Sequence, residues 1–542
     1  ALGLEGGASH LAPTALISAI LAAPVDLLWN GGIGTYVKAS TESHEQVGDR
    51  ANNALRIDGS QLRCRVVGEG GNLGLTQRGR IEAALGGVLL NTDFIDNSAG
   101  VDTSDHEVNI KILLDDAVQR GELSTADRNV QLAAMTDEIG ELVLWDNYRQ
   151  NQTLSLMESQ SVRRVGSMAH FIRTLEGEGL LDRQVEFLPS EAELKDRRSH
   201  GRGLTRPELA VLLSYDKLRL YQQLLDSDVP EDPYLSRELV RYFPQALRER
   251  YAEHMQRHRL KREIIATAVT NSTINRMGAT FILRLNEDTG KGSAAIAKAF
   301  TVAREILDAR ELWSEIEALD GQVPEALQVD ANLIIWSLLR HMSRWLLNRG
   351  GLVDIAADVE RYQPWVSELR LQLPQILSES AREQFATVQT DWEARGIPPK
   401  LAIRLARMPR LRMVLDMVEV AQHSGHAIAR VARVFYGLGE SLSLDWLRGQ
   451  IEQLPVEGRW HAQARGSLLD ELSQQHRALA MRVLDWEGAA ALPDPTGAWL
   501  ARSDDTLSLV RSMLAEISLL TVDYPIASVA IRRLALLART AD

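Results

Sequence analysis

The sequence predicts an α/β segment over residues 1–120 and a large all-α region over 121–542. Two observations carry this. Short apolar runs alternate with amphipathic stretches in the first part, which is the grammar of parallel βαβ units. After residue 120 strand signals nearly vanish and helix starts recur. Glycines also cluster just after two of the apolar runs, in GGIG (31–34) and GEGG (68–71). Open α/β sheets bind ligands at the carboxyl ends of their strands, where these turns fall.

Taken in order, 14–23 reads as a helix, 25–29 as a strand, 43–57 as a helix and 62–67 as a strand. Then 76–85 reads as a helix, 88–95 as a strand and 104–118 as a helix. Ser124-Thr-Ala-Asp127 and Thr205-Arg-Pro-Glu208 have the form of capping boxes, the second with proline in the first turn. Amphipathic helical runs follow at 208–225, 236–257, 260–285, 293–318 and 326–347. Turn clusters fall at 226–233, 395–399 and 491–497. No fixed-period repeat is present, which argues against a solenoid.

Composition bounds the function. A chain of 542 residues is too long for one ordinary core. It is 45% hydrophobic and 25% charged, the balance of a soluble globular protein. A formal charge of −13 lacks the basic footprint that nucleic acid demands. Charge interrupts every apolar run well short of the roughly 20 residues that span a membrane. The opening ALGLEGGASH has no basic n-region, so no signal peptide is visible in it, and it begins with Ala, so the chain reads as a piece of a longer polypeptide. The lone cysteine, Cys64, rules out an internal disulfide and a cysteine-based zinc site and fits a cytoplasmic protein. Its apolar surroundings predict a buried, inert thiol.

Residues 91–109, NTDFIDNSAGVDTSDHEVN, are the densest candidate site. A strand-like run ends at Asp96-Asn97, a turn of small residues follows, and Ser104 is expected to open a helix with Glu107 three residues on. Such a junction offers an amide, a hydroxyl and free N–H groups to an anion. Ser104 can equally be a simple cap and Asn97 a simple turn residue. Upstream, Gly68, Gly70 and Gly74 form GxGxxxG, with Asp93 where a ribose-binding acid would sit. A plain tight turn explains those glycines as well, while the Asn72 amide favours a polar ligand.

Other clusters read as structural. His254 and His258 are spaced i, i+4 but lack a third ligand, so a solvated helix face is expected and no metal. GKGS (290–293) fails as a phosphate loop because Leu285 stands where glycine is required. Thr267, Asn271 and Asn275 form a polar stripe suited to helix–helix hydrogen bonding. The arginines of 197–206 read as a solvated loop, with a regulatory anion site as the alternative.

Three of these motifs resemble the glutamate dehydrogenase family. They are DLLWNGGIGTYVK (26–38), VGEGGNLGLT (67–76) and DNSAGVDTS (96–104), the last keeping the family's Asn-to-Ser spacing of seven. The resemblance to the large bacterial NAD-specific subclass continues through WDNYRQNQTLSL (145–156), GLTRPELAVLLSYDKL (203–218), residues 258–290 and residues 427–455. It implies that the first segment is the C-terminal part of a Rossmann-like nucleotide-binding domain. It also implies NAD as cofactor, with Gly31 and Gly32 under the nicotinamide and the turn of Glu69, Gly70 and Asn72, with Asn97, at its ribose. Asp93 is then not the ribose acid. Ser104 would bind the side-chain carboxylate of glutamate and Val101 would line that pocket. The sequence departs from the family at Asp105 and His106, which replace aromatic-rich positions before the retained Glu107. Gly71 stands where alanine is usual, and no proline follows Asn72.

The resemblance implies oxidative deamination of L-glutamate to 2-oxoglutarate and ammonia, with the catalytic lysine and aspartate expected upstream, on the remainder of the same chain. The helical region would serve assembly or regulation in a homo-oligomer, without nucleic acid or membrane. Two other readings stand beside it: a non-catalytic helical assembly or regulatory module, and an α/β enzyme that binds a different nucleotide at GEGG.

Overall fold

A computed structural model describes residues 10–456, 459–490, 492–502 and 505–539. The chain is predominantly helical and divides into two compact units, Ala1–Leu283 and Arg284–Asp542.

The first unit opens with α1 (Pro13–Leu21), β1 (Leu27–Asn30), β2 (Val37–Lys38), α2 (His44–Val47), β3 (Ile57–Asp58), β4 (Val66–Glu69), α3 (Gln77–Leu85) and α4 (Asp93–Asp96). β1 and β4 pair in parallel, with Leu27 opposite Val66 and Asn30 opposite Glu69. Leu89 extends the ladder on the other side of β4, where Val67 N–H donates to its carbonyl at 3.0 Å and its own N–H donates to Arg65 at 3.0 Å. β2 and β3 form a second parallel pair. Val37, Ile57, Leu62, Cys64, Val67 and Leu75 are buried in the core beneath, and burial raises the pKa of the Cys64 thiol.

Six long or medium helices follow: α5 (Ser98–Gln119), α6 (Thr125–Ala134), α7 (Thr136–Gly177), α8 (Glu191–Ser199), α9 (Arg206–Leu225) and, after the short α10 (Ser236–Tyr242), α11 (Gln245–Arg248) and α12 (Ala252–Gln256), the buried α13 (Lys261–Met277). α13 packs on α7, α9 and α10, α5 lies along α7, and α3 lies against α9. The caps expected at Ser124 and Thr205 are present: Ser124 Oγ accepts from Asp127 N–H at 3.1 Å, and Glu208 reaches back to Thr205 N–H at 2.7 Å.

α14 (Phe281–Thr289) leads into the second unit. Its helices are α15 (Ser293–Ile306), α16 (Ala309–Glu317), α17 (Glu325–Asn348), α18 (Ile355–Ile376), α19 (Glu379–Ala394), α20 (Pro399–Arg407) and α21 (Val414–Ser424). The series ends with α22 (Ile428–Ser441), α23 (Leu444–Gln453), α24 (Arg459–Asp485), α25 (Thr496–Leu500), α26 (Asp505–Ile517) and α27 (Tyr524–Arg539). α15 packs on α17 and α18, α22 on α18 and α24, and α24 on α27. Among the described residues no helix is long and apolar enough to cross a membrane.

Several boundaries differ from expectation for local reasons. The helix expected over 43–57 stops at Val47, because Gly48 takes a left-handed φ of 78° and a 3-10 turn (Arg50–Asn52) then leads into β3. The strand expected over 88–95 is reduced to the bridge at Leu89, and Asp93–Asp96 coils into α4. The run 236–257 breaks at Phe243-Pro244, 260–285 at Gly278 (φ 71°) and 293–318 at Asp308 (φ 51°). Of the turn at 491–497, residue 491 lies outside the described residues, as does the opening segment 1–9.

Candidate functional site

The glycine turns after β1 and β4 fold against each other. Gly70 and Gly71 N–H both donate to the Asn30 carbonyl, at 2.9 and 3.0 Å. A Cβ on Gly70 would lie 2.3 Å from the Trp29 ring, and one on Gly71 would lie 2.5 Å from the Gly32 carbonyl oxygen. Neither position has room for a side chain. Gly31 meets only Trp29, at 3.0 Å, and Gly32 has nothing within 4 Å. Ile33 and Leu73, which flank these turns in sequence, are exposed.

Glu69 and Asp93 face inward and hold the turn together. The buried Glu69 carboxylate accepts from Arg80 at 2.7 and 2.9 Å and from Leu75 N–H at 3.1 Å. Asp93 accepts from Arg80 at 3.0 Å and from Leu73 N–H at 2.8 Å. Burial raises the pKa of Glu69, against the pull of Arg80. The Glu69 carboxylate is therefore saturated by the turn itself and is not free for a ligand. The same contacts remove Asp93 from the ribose-acid role that its spacing suggested.

Asn72 and Asn97 meet at the mouth of these turns, the Asn97 side-chain amide donating to the Asn72 carbonyl oxygen. Asn97 is also the junction between α4 and α5. α5 begins at Ser98, six residues before Ser104, so the expectation that Ser104 opens this helix is wrong. Asp93 draws the chain into α4, and Asn147 of α7 braces its end, donating to the Ile95 carbonyl at 2.8 Å and to Ser98 Oγ at 3.2 Å. Ser104 is exposed on the second turn of α5 with its hydroxyl 3.3 Å from the Gly100 carbonyl. Glu107 pairs with Lys111 rather than reaching back to a cap. Val101 is exposed, and a Cβ on Gly100 would have nothing within 4 Å.

Sequence reasoning missed a polar cluster beside this segment. One donor atom each of Asp102, His106 and Asp146 lies within 4.8 Å of the others. Lys217 of α9 feels both carboxylates and donates to Gln150 at 3.0 Å. Burial, with Asp146 and Asp105 adding to it, raises Asp102 to about 7, while burial lowers Lys217 to about 8. Burial also keeps His106 below its usual range, and its ring stacks on Tyr242 at 4.4 Å. Lys217 makes no ion pair with either acid, but its positive charge acts on both. The i, i+4 spacing of Asp102 and His106 was the available signal; Asp146 and Lys217 arrive from two other helices.

The other candidates resolve as structure. His254 and His258 are buried rather than solvated, and His258 falls beyond the end of α12. His254 lies 2.6 Å from Asp116 and 2.9 Å from Glu122, and His258 bonds the Asn109 carbonyl at 3.0 Å. His254 ties α12, and His258 the turn after it, to α5 and its C-terminal end. The arginine loop is likewise not simply solvated. Arg197 Nη1 donates to both carboxylate oxygens of buried Glu208, at 2.7 and 3.0 Å, and Arg206 reaches Asn91, Asn151 and Ser155, although Arg198 and Arg202 are exposed. In the polar stripe of α13, only Asn275 is buried, and its backbone carbonyl accepts from Thr153.

The paired amides and the glycine turns thus lie together at the carboxyl ends of the parallel pair β1 and β4. Comparison with known proteins supplies the family. The family "Glutamate dehydrogenase, C-terminal" matches residues 201–535, and "Bacterial NAD-glutamate dehydrogenase, catalytic domain" matches residues 2–157. The chain belongs to the glutamate dehydrogenase family and matches its C-terminal portion. It is 44% identical to the NAD-specific glutamate dehydrogenase of Halomonas elongata over 98% of its length, and 44% identical to that of Pseudomonas aeruginosa over 99%. The protein of the same name from Mycobacterium tuberculosis is 38% identical over 89%. The chain spans about a third of each relative, 33%, 33% and 30% respectively.

Proposed function

We propose that this chain is part of an NAD-dependent glutamate dehydrogenase, which oxidatively deaminates L-glutamate to 2-oxoglutarate and ammonia. The observation that carries the reading is the Asn72–Asn97 pair set beside the bare glycine turns, in a chain similar along its length to enzymes of that name. Residues 1–120 would be the C-terminal part of the Rossmann-like domain. Residues 121–542 would serve assembly or regulation in a homo-oligomer.

The residues present suit the nicotinamide end of NAD. The space beside Gly32 and Gly100 is open, and Asn97 makes no side-chain cap on α5, so the first-turn amides there face no protein acceptor from it. When bound, NAD supplies the hydride acceptor. Asn72 and Asn97 would orient the ribose, while Gly31, Gly32 and Gly70 keep backbone close to the ring. Glu69 acts one step back, holding the turn through Arg80. Ser104 would bind the substrate side-chain carboxylate, with Val101 lining the same pocket. The catalytic lysine and aspartate are assigned to the part of the enzyme outside these residues.

The test is NAD reduction by the purified full-length protein with L-glutamate, run beside the isolated 1–542 chain. Turnover by the first and none by the second is expected. A full-length protein that binds neither NAD nor glutamate would leave the assembly-module reading in its place.

A further inference from the structure

A chain of hydrogen bonds runs from the helical region to the two amides at the mouth of the glycine turns. It starts at Arg206, the first residue of α9, whose side chain is 14% exposed. Arg206 Nε donates to Asn91 Oδ1 at 2.6 Å. Its Nη1 and Nη2 donate to Ser155 Oγ at 2.8 Å and to the Asn151 carbonyl at 2.9 Å, both on α7. The buried Asn91 side chain donates from Nδ2 to Asp96 Oδ1 and to Asn151 Oδ1, each at 2.6 Å. Asp96 Oδ2 in turn accepts from Glu69 N–H at 3.0 Å.

Asp96 is the joint of this chain. It directly precedes Asn97, and its carboxylate holds the backbone three residues before Asn72. The places of both amides therefore depend on where one carboxylate sits. Asn147 holds the same corner from α7, through the Ile95 carbonyl and Ser98 Oγ. Asn147 is itself oriented by Asn151, which donates to its backbone and side-chain oxygens at 3.1 and 3.3 Å.

Helix packing alone does not call for such a chain. Apolar side chains would join α7 and α9 to α4 with no polar atoms to satisfy. Among the described residues, none of the side chains on this path has a buried polar atom without a partner. A fully satisfied polar network holds one geometry. Hydride transfer depends on geometry: a displacement of about 1 Å can slow a reaction by on the order of a hundred-fold.

We propose that Arg206 is a positioning residue for hydride transfer, setting the relative place of Asn72 and Asn97 through Asn91 and the Asp96 carboxylate. The assignment rests on the dehydrogenase reading. It makes α7 and α9 part of the apparatus that seats the nicotinamide, not of assembly or regulation alone.

The experiment is a double-mutant cycle on the full-length protein. For each variant, kcat, KM and the fraction folded are measured for NAD reduction by L-glutamate. Arg206→Lys keeps the charge but cannot reach Asn91, Asn151 and Ser155 at once. It should lower kcat per folded molecule by on the order of ten-fold or more, with both KM values within about three-fold of wild type. Asn91→Ala cuts the next link, should act alike, and serves if Arg206→Lys does not fold. In an Asn97→Ala background either change should lower kcat by clearly less, no more than about three-fold, because the amide it aims is gone. Glu158→Gln removes only the outer ion pair of Arg206, at 3.3 Å, and should leave the rate unchanged. An arginine that merely ties helices together predicts less folded protein with unchanged kcat per folded molecule, or equal losses in the wild-type and Asn97→Ala backgrounds. Either result overturns the proposal while the dehydrogenase reading stands. A wild-type protein that reduces no NAD with glutamate overturns that reading, and the proposal with it.

Discussion

The side-chain amide of Asn97 donates to the carbonyl oxygen of Asn72, joining the turn after β4 to the start of α5 across 25 residues of sequence. Both residues are solvent-accessible, so this bond contributes little to the fold: water can replace it at modest cost. On the proposed function, its role would be to fix where two amides point. Asn97→Ala in the full-length enzyme should therefore lower kcat/KM by roughly 1–3 kcal/mol in transition-state binding while the melting temperature moves little. Steady-state kinetics with NAD and glutamate, normalised to folded protein, check it. A sharp fall in melting temperature with unchanged activity would make Asn97 a turn residue.

The glycine turn makes the opposite prediction. Among the described residues, Arg80 is the one cation paired with the two inward carboxylates, Glu69 and Asp93, whose side chains are 1% and 11% exposed. Arg80→Met leaves both acids uncompensated and should destabilise the first unit by about 3–5 kcal/mol. Glu69→Gln should cost less, because Asp93 keeps its partner and the new amide oxygen can still accept from Leu75 N–H. Urea unfolding of the two variants orders them. Equal losses would mean that Asp93 does not share the charge.

These cases mark what was legible in the sequence. The helices at 77–85 and 206–225 and the caps at Ser124 and Thr205 follow from local chemistry, and they fall where the pattern put them. Parallel strands at 27–30 and 66–69 were likewise visible as apolar runs before glycine. The start of α5 was not. Ser104-x-x-Glu107 is a sound capping signal in isolation, but Asn147 and Gln150 of α7 engage Ser98 and stabilise an earlier start. No pattern within residues 91–109 contains that information. The same holds for His254 and Arg206, whose polar partners lie 138 and 115 residues away. Charge-dense sequence reads as solvated surface unless the opposing charge can be seen to arrive from elsewhere in the chain.

The buried cluster on α5, α7 and α9 gives a pH prediction. Asp102, at about 7, lies above the value of an unfolded aspartate, about 3.9. The folded protein then holds a proton that the unfolded chain has lost, so this group's contribution to stability falls as pH rises from about 4 to 7. Lys217, at about 8, lies below the unfolded value of about 10.4. Here the unfolded chain holds the extra proton, and stability recovers as pH rises from about 8 to 10. Together they place a shallow minimum near neutrality. Asp102→Asn should remove the falling limb and leave the rising one, in melting temperature measured against pH. Parallel profiles for variant and wild type would refute the assignment.

Ser104 separates helix chemistry from substrate chemistry more cleanly than a cap would have allowed. A capping serine costs about 1 kcal/mol of stability when replaced by alanine. Ser104 is not a cap: it sits exposed inside α5, its hydroxyl turned back to the Gly100 carbonyl at 3.3 Å. Alanine is the better helix former at such a position, so Ser104→Ala should leave stability within about 0.5 kcal/mol of wild type or raise it slightly. If the hydroxyl binds the substrate carboxylate, the same change removes one charge-assisted hydrogen bond and should weaken glutamate use by roughly 1.5–3 kcal/mol. The affinity for NAD should hardly move, because the contact is to substrate alone. Preference should also drift toward amino acids without a side-chain carboxylate, such as norvaline, since the lost donor no longer discriminates. KM and kcat for glutamate and norvaline, measured beside the melting temperature, decide it. Unchanged constants for glutamate would leave Ser104 as an ordinary surface residue of α5.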